Sequence, residues 1–233
     1  MCFSAEASFT GAAVIATAGV GSLALCRRPR EVPFAALPLA FGVHQALEGV
    51  TWLELNDAPA AVLSGWGVHL WVFFAWSLLP TWVPVSVWLI EPEGRRRHQM
   101  VPLMMIGMAV SSYMATQAFQ SGIDVRVVAG SLDYQLPFST GWYLAIPYVA
   151  ATCLTPAMST QRWVRIFGIG NFLAMVTAAI IKAQAYSSIW CTLAAFLSLI
   201  ILAHYLHERG ERIRNAQPIP AIPSVPTAPI PAQ

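Results

Sequence analysis

Charge is scarce in this chain. Only 10% of its 233 residues are Asp, Glu, Lys or Arg, against about 25% in soluble domains. Apolar residues make up 57%, more than a soluble fold of this size can hide. A bilayer accommodates them at about 20 apolar residues per crossing. The net charge is only +2 and no basic stripe marks a polar domain, which excludes nucleic acid as a partner. The four cysteines, Cys2, Cys26, Cys153 and Cys191, contain no CxxC pair. A disulfide framework and a CxxC zinc site are therefore excluded. The first residues, Met-Cys-Phe-Ser-Ala-Glu, lack the basic start of a cleavable signal. There is no Ser-His-Asp order, phosphate loop or nucleotide fingerprint. No internal repeat is apparent, which argues against an inverted-repeat transporter.

The little positive charge there is has been placed with a strong bias. Eleven of the thirteen Lys and Arg residues fall in four short polar gaps. These hold Arg27, Arg28 and Arg30; Arg95, Arg96 and Arg97; Arg162 and Arg165; and Arg209, Arg212 and Arg214. Only Arg126 and Lys182 lie outside them. If the intervening apolar runs span a membrane, the positive-inside rule puts all four gaps in the cytoplasm. The expectation is an all-α, seven-transmembrane helix bundle, N-terminus out and C-terminus in, multi-pass in a bacterial inner membrane. The helices are expected over about Ser4–Cys26, Pro33–Leu55, Val62–Ile90, Met100–Phe119, Gly141–Met158, Arg162–Lys182 and Ser187–His207. Ser4 suits an N-cap and Glu6 the first turn. Pro80, Pro84, Pro147 and Pro156 predict bends. The external segment 120–140 carries Val125–Val128, Gly130 and Leu132–Leu136, which reads as a short hairpin. Residues 1–207 form the membrane domain on this reading. Residues 208–233, rich in alternating proline, are a disordered cytoplasmic tail.

Ionisable groups inside a bilayer are costly, so each is a candidate site. Helix two carries His44, Gln45 and Glu48, and the i,i+4 spacing sets His44 and Glu48 on one face. His69 enters on helix three at a depth similar to Glu48, so the two are expected to pair. Asn171 and Lys182 on helix six complete a polar pocket opening outward, floored by His44 and rimmed by Glu48, His69 and Lys182. Two readings stand beside each other. Glu48 and His69 either line a ligand site or form an ion pair that locks two helices together. Asn171 also reads as packing glue, and Lys182 as an interfacial, snorkelling lysine. His44, Glu48 and His69 together offer two imidazoles and a carboxylate, the ligand set of some zinc sites, so a divalent metal is a further candidate. Cys2 and Cys191 fall at one depth, and a disulfide between them would tie helix one to helix seven; two inert thiols are the other reading.

The opening Met-Cys-Phe-Ser-Ala, the run Gln45-x-x-Glu48-Gly49-x-x-Trp52 and the late pair Trp190-Cys191 resemble an uncharacterised bacterial integral-membrane family. Its members begin Met-Cys-Phe-Ser-Ala. The resemblance covers about residues 1–207 and implies a membrane protein. It adds Gln45, Trp52 and Trp190 to the candidate ligand-binding residues. Seven helices with an outside N-terminus are also similar in topology to the ceramidase and adiponectin-receptor group of intramembrane zinc hydrolases. That group's His-x-x-x-His is replaced here by His204-x-x-His207, and its Ser and Asp motif has no counterpart. The function expected is binding or sensing of a small ligand or ion. The alternatives are an intramembrane metal-dependent hydrolase, and a transporter or structural subunit of a membrane complex.

Overall fold

Ser4 starts the first helix by accepting a hydrogen bond from the Ala7 amide at 3.2 Å, with Glu6 in the first turn. In the computed structural model, residues 4–55, 66–120, 122–128, 130–135, 142–181 and 185–216 are described. Helix α1 is Ala5–Leu25. A turn at Pro29–Glu31 and the short helix Val32–Ala35 lead into α2, Leu37–Leu55. Helix α3 covers Trp66–Ile90, and α4 covers Arg95–Gln120. Strands β1, Asp124–Val128, and β2, Ser131–Gln135, follow. Helix α5 runs from Trp142 to Ala157, and α6 covers Arg162–Ile181. Helix α7 comprises Tyr186–Leu197 and, past a break at Ser198, Leu199–Ala216. Seven helical rods are thus present among the described residues, in the expected order.

Four of these rods are long and apolar enough to cross a membrane: Ala5–Leu25, Trp66–Ile90, Arg162–Ile181 and Tyr186–Asn215. Helix α2 carries the polar cluster, and α4 opens with three arginines, so their hydropathy is lower. Large apolar side chains point outward, among them Ile180 at 80%, Ile146 at 63% and Leu173 at 57% exposure. Water would penalise that surface, whereas acyl chains would not. Residues from all four arginine-bearing gaps meet at one end of the bundle. Arg96 donates to the Met158 carbonyl at 3.3 Å. Buried Glu91 accepts from the Ser159 hydroxyl at 2.6 Å and the Thr160 amide at 2.9 Å. Tyr205 donates to the Glu31 carbonyl at 3.2 Å. Cys26, just past α1, is half-buried there, and burial pushes its thiol above the ordinary range. That fits an unreactive thiol.

Helices α1 and α2 make the most extensive helix–helix contact, and small residues permit it. They run antiparallel, with Phe9 against Gly49, Ala16 against Gly42 and Gly19 against Leu39. A Cβ at Gly19 would overlap the Leu39 backbone itself. Backbone-to-backbone approach of this kind needs glycine.

The proline bends take a specific form. Phe73–Leu78 in α3 and Ala150–Leu154 in α5 are π-helical, each ending shortly before a proline, Pro80 or Pro156. The Leu79 amide reaches back five residues to the Phe74 carbonyl. In that register the Ala75 carbonyl would seek the amide of residue 80, which is a proline and has none. The Tyr148 hydroxyl of α5 takes the place of that amide, donating to Ala75 O at 2.5 Å. Tyr148→Phe is therefore expected to cost about 1 kcal/mol, the net worth of one such bond. Thermal unfolding in detergent would measure it, and an unchanged melting point would show that the carbonyl finds other partners.

The hairpin forms where expected, antiparallel with Val128 opposite Ser131 and Gly130 at φ +76° in the turn. Its burial was not expected. Ser131, Leu132, Asp133 and Tyr134 are all buried, and β2 packs on the start of α7. Two boundaries also move. Helix α4 begins at Arg95 rather than near Met100, and α7 continues to Ala216 rather than His207. Beyond the apolar run, Glu208 and Arg212 sit 3.7 Å apart at i,i+4 and extend the helix into the polar region. The remaining tail lies outside the described residues.

Candidate functional site

Helix periodicity puts His44, Gln45, Glu48 and Trp52 on one stripe of α2. The structure turns that stripe inward. His44, Gln45 and Glu48 are fully buried, and Trp52 is 6% exposed. His44 packs against two aromatic rings of α3, with centroids 4.8 Å from Trp71 and 4.5 Å from Phe74. Trp71 in turn stacks on Tyr134 of the hairpin at 3.7 Å, with the planes 5° apart. A row of rings thus leads from β2 into the bundle. One Glu48 oxygen accepts a short hydrogen bond from the Ser188 hydroxyl, joining α2 to α7.

What distinguishes the stripe is how little of it is satisfied. Among the described residues, neither ring nitrogen of His44 makes a well-formed hydrogen bond, although the Trp71 backbone lies close enough for a weak contact. By the same criterion neither side-chain polar atom of Gln45, which lies beside the Glu48 carboxyl, nor Glu48 Oε2, nor the indole nitrogens of Trp52 and Trp71 make a well-formed bond among the described residues. Buried polar groups are normally paired, and each one left alone costs about 1–3 kcal/mol.

Several sequence expectations change here. His69 is on the exposed side of α3, while Trp71, two residues on, takes the inward position. Glu48 meets Ser188, and the expected buried Glu48–His69 pair is replaced by this α2–α7 contact. No group of three His, Cys, Asp or Glu side chains converges among the described residues. The His44–Glu48–His69 metal triad is therefore not assembled, because His69 faces the wrong way. Asn171 and Trp190 do come together. The Trp190 indole donates to Asn171 Oδ1 at 2.9 Å, and the Asn171 amide donates to Cys153 Sγ at 3.5 Å. This ties α5, α6 and α7 beside a closed space of about 20 Å³, enough for one water. Asn171 thus bridges two neighbouring helices. Lys182 and Cys2 lie outside the described residues, so the lysine rim and the Cys2–Cys191 bridge do too. Cys191 itself is buried.

Sequence reasoning missed Ser188, Trp71 and Tyr134. Ser188 stands two residues before the Trp190-Cys191 pair and carries no pattern of its own. Trp71 looks like any apolar residue of a membrane helix.

The stripe containing Gln45, Glu48, Gly49 and Trp52 is part of a longer match. The family model described as "Family of unknown function (DUF6629)" matches residues 1–217. The chain belongs to that family. No curated protein and no solved structure matches it. The family is shown while its chemistry is not, so function has to come from the buried stripe.

Proposed function

We propose that the chain is a seven-span membrane protein, N-terminus outside and arginine-rich end in the cytoplasm, that binds a small polar ligand or ion at the α2 stripe. The observation carrying this reading is the group of buried atoms on His44, Gln45, Glu48, Trp52 and Trp71 that make no well-formed hydrogen bond among the described residues. They supply imidazole nitrogens, an amide, a carboxylate oxygen and two indole N–H groups. That set is suited to holding a compact ligand by several directed bonds. A cation or an ammonium group beside Glu48 would favour the ionised carboxylate that burial alone disfavours. The ring of Tyr134 over Trp71 would shield the ligand from the outer side.

Metal-dependent hydrolysis has less support, since two ligands from α2 lack a third among the described residues. The competing structural reading is that Glu48–Ser188 is a latch between α2 and α7. A high-resolution density map of the protein in nanodiscs separates them. Non-protein density within hydrogen-bonding distance of His44 and Glu48 is expected. A dry, closely packed stripe would overturn the ligand site. The orientation is tested by a single cysteine placed at Gly94 and labelled with an impermeant maleimide. Labelling only after the cell is opened is expected, and labelling from outside intact cells would invert the topology.

A further inference from the structure

A second cavity, of about 490 Å³, opens at the arginine-rich end of the bundle. It is distinct in chemistry from the α2 stripe. Its wall combines Arg28 and Arg30 from the turn after α1, Arg162 at the start of α6, and His204 and His207 from α7. We propose that this cavity binds the phosphate group of an anionic ligand.

The argument rests on which charges are already engaged. Two carboxylates, Glu31 and Glu208, also line the cavity. Glu31 accepts from the Arg27 amide at 3.0 Å and the Arg28 amide at 3.4 Å, and its other oxygen lies 4.0 Å from Arg28 Nε. Glu208 lies 3.7 Å from Arg212 and 3.8 Å from His204. Both acids thus have cationic or amide partners. Arg30 and Arg162 make no ion pair among the described residues, although they line the same space. Arg162 also opens a 20-residue helix, whose positive dipole end adds to the field. Guanidinium pairs match phosphate oxygens through forked hydrogen bonds. Between transmembrane helices on the cytoplasmic side, basic pockets of this kind suit lipid headgroups. A free phosphate presents the same chemistry, so the source of the group is for experiment to decide.

The test uses the full chain in nanodiscs, with two probes. One is phosphatidate mixed into phosphatidylcholine, read as lipid retained on the protein by native mass spectrometry. The other is inorganic phosphate, titrated by calorimetry in phosphatidylcholine alone. The expected result is one saturable site for at least one probe. Arg30→Gln with Arg162→Gln is expected to weaken it about twenty-five-fold, at roughly one factor of five per arginine lost. Arg165→Gln with Arg209→Gln removes equal charge outside the cavity and is expected to leave binding unchanged. Phosphatidate alone binding identifies a headgroup site; phosphate alone binding identifies a soluble ligand. Binding of neither, or equal weakening by both variants, overturns the site in favour of diffuse attraction. Should the cavity variant fail to fold, the wild-type protein is treated with an arginine-specific dicarbonyl. The bound probe must then protect Arg30 and Arg162 but not Arg209, and uniform modification overturns the proposal.

Discussion

Gly19→Ala is expected to destabilise the protein by at least about 3 kcal/mol, the upper end for forcing atoms into a packed interface. The sign is the informative part. In an isolated helix the same change stabilises by about 1 kcal/mol, since alanine is the better helix former. Here the new methyl would overlap the backbone nitrogen and Cα of Leu39. A side chain can rotate away, but a helix backbone can move only if α1 leaves α2. The contact at risk is the largest in the fold. Gly210→Ala is the control. That glycine is helical, and a Cβ there meets nothing within 4 Å. It is expected to gain about 0.5–1 kcal/mol. Melting curves of both variants in one detergent decide the matter. Equal effects would mean that α1 and α2 do not touch at Gly19.

His44→Phe is expected to make the protein more stable while removing ligand binding at the α2 stripe. Histidine here packs on two aromatic rings, and among the described residues neither nitrogen makes a well-formed hydrogen bond. Phenylalanine keeps the ring contacts and leaves no polar atom to satisfy. Relief of about 2 kcal/mol follows from the usual cost of unpaired buried groups. For a chain of this size that corresponds to a rise of about 4–8 °C in melting temperature. A residue whose removal stabilises the fold is one retained for another purpose, as binding sites commonly are. A fall in melting temperature would instead show that the imidazole is already held by bonds of its own, through water or otherwise.

Much of the architecture could be read from the chain because the bilayer enforces simple rules. Apolar runs and arginine gaps placed the seven rods, and Val125–Val128 with Gly130 placed the hairpin. Position along the bundle was legible too: counting along the helices sets the His44–Glu48 turn of α2 beside the first turns of α3, where His44 meets Trp71. Rotation was harder. Two positions along a helix amount to about 200°, so His69 and Trp71 share a depth but not a face. Depth alone assigned the site to His69, whereas packing gave it to Trp71. The end of α7 shows a related limit. Hydropathy sees where lipid stops, near His207, while Glu208 and Arg212 carry the helix onward. Prolines announced bends in α3 and α5, but not the π register that hands the Ala75 carbonyl to Tyr148. The arginines were counted for orientation alone. Their gathering around one cavity depends on three turns and a helix end meeting in space.

Tyr134 belongs to a segment that reads as an ordinary outer loop, yet its ring lies flat against Trp71, and Trp71 against His44. The hairpin therefore works as a handle on the bundle's interior. Any displacement of those strands that tilts Tyr134 is passed through Trp71 to the imidazole, so the hairpin and the middle of the bundle answer to the same pull.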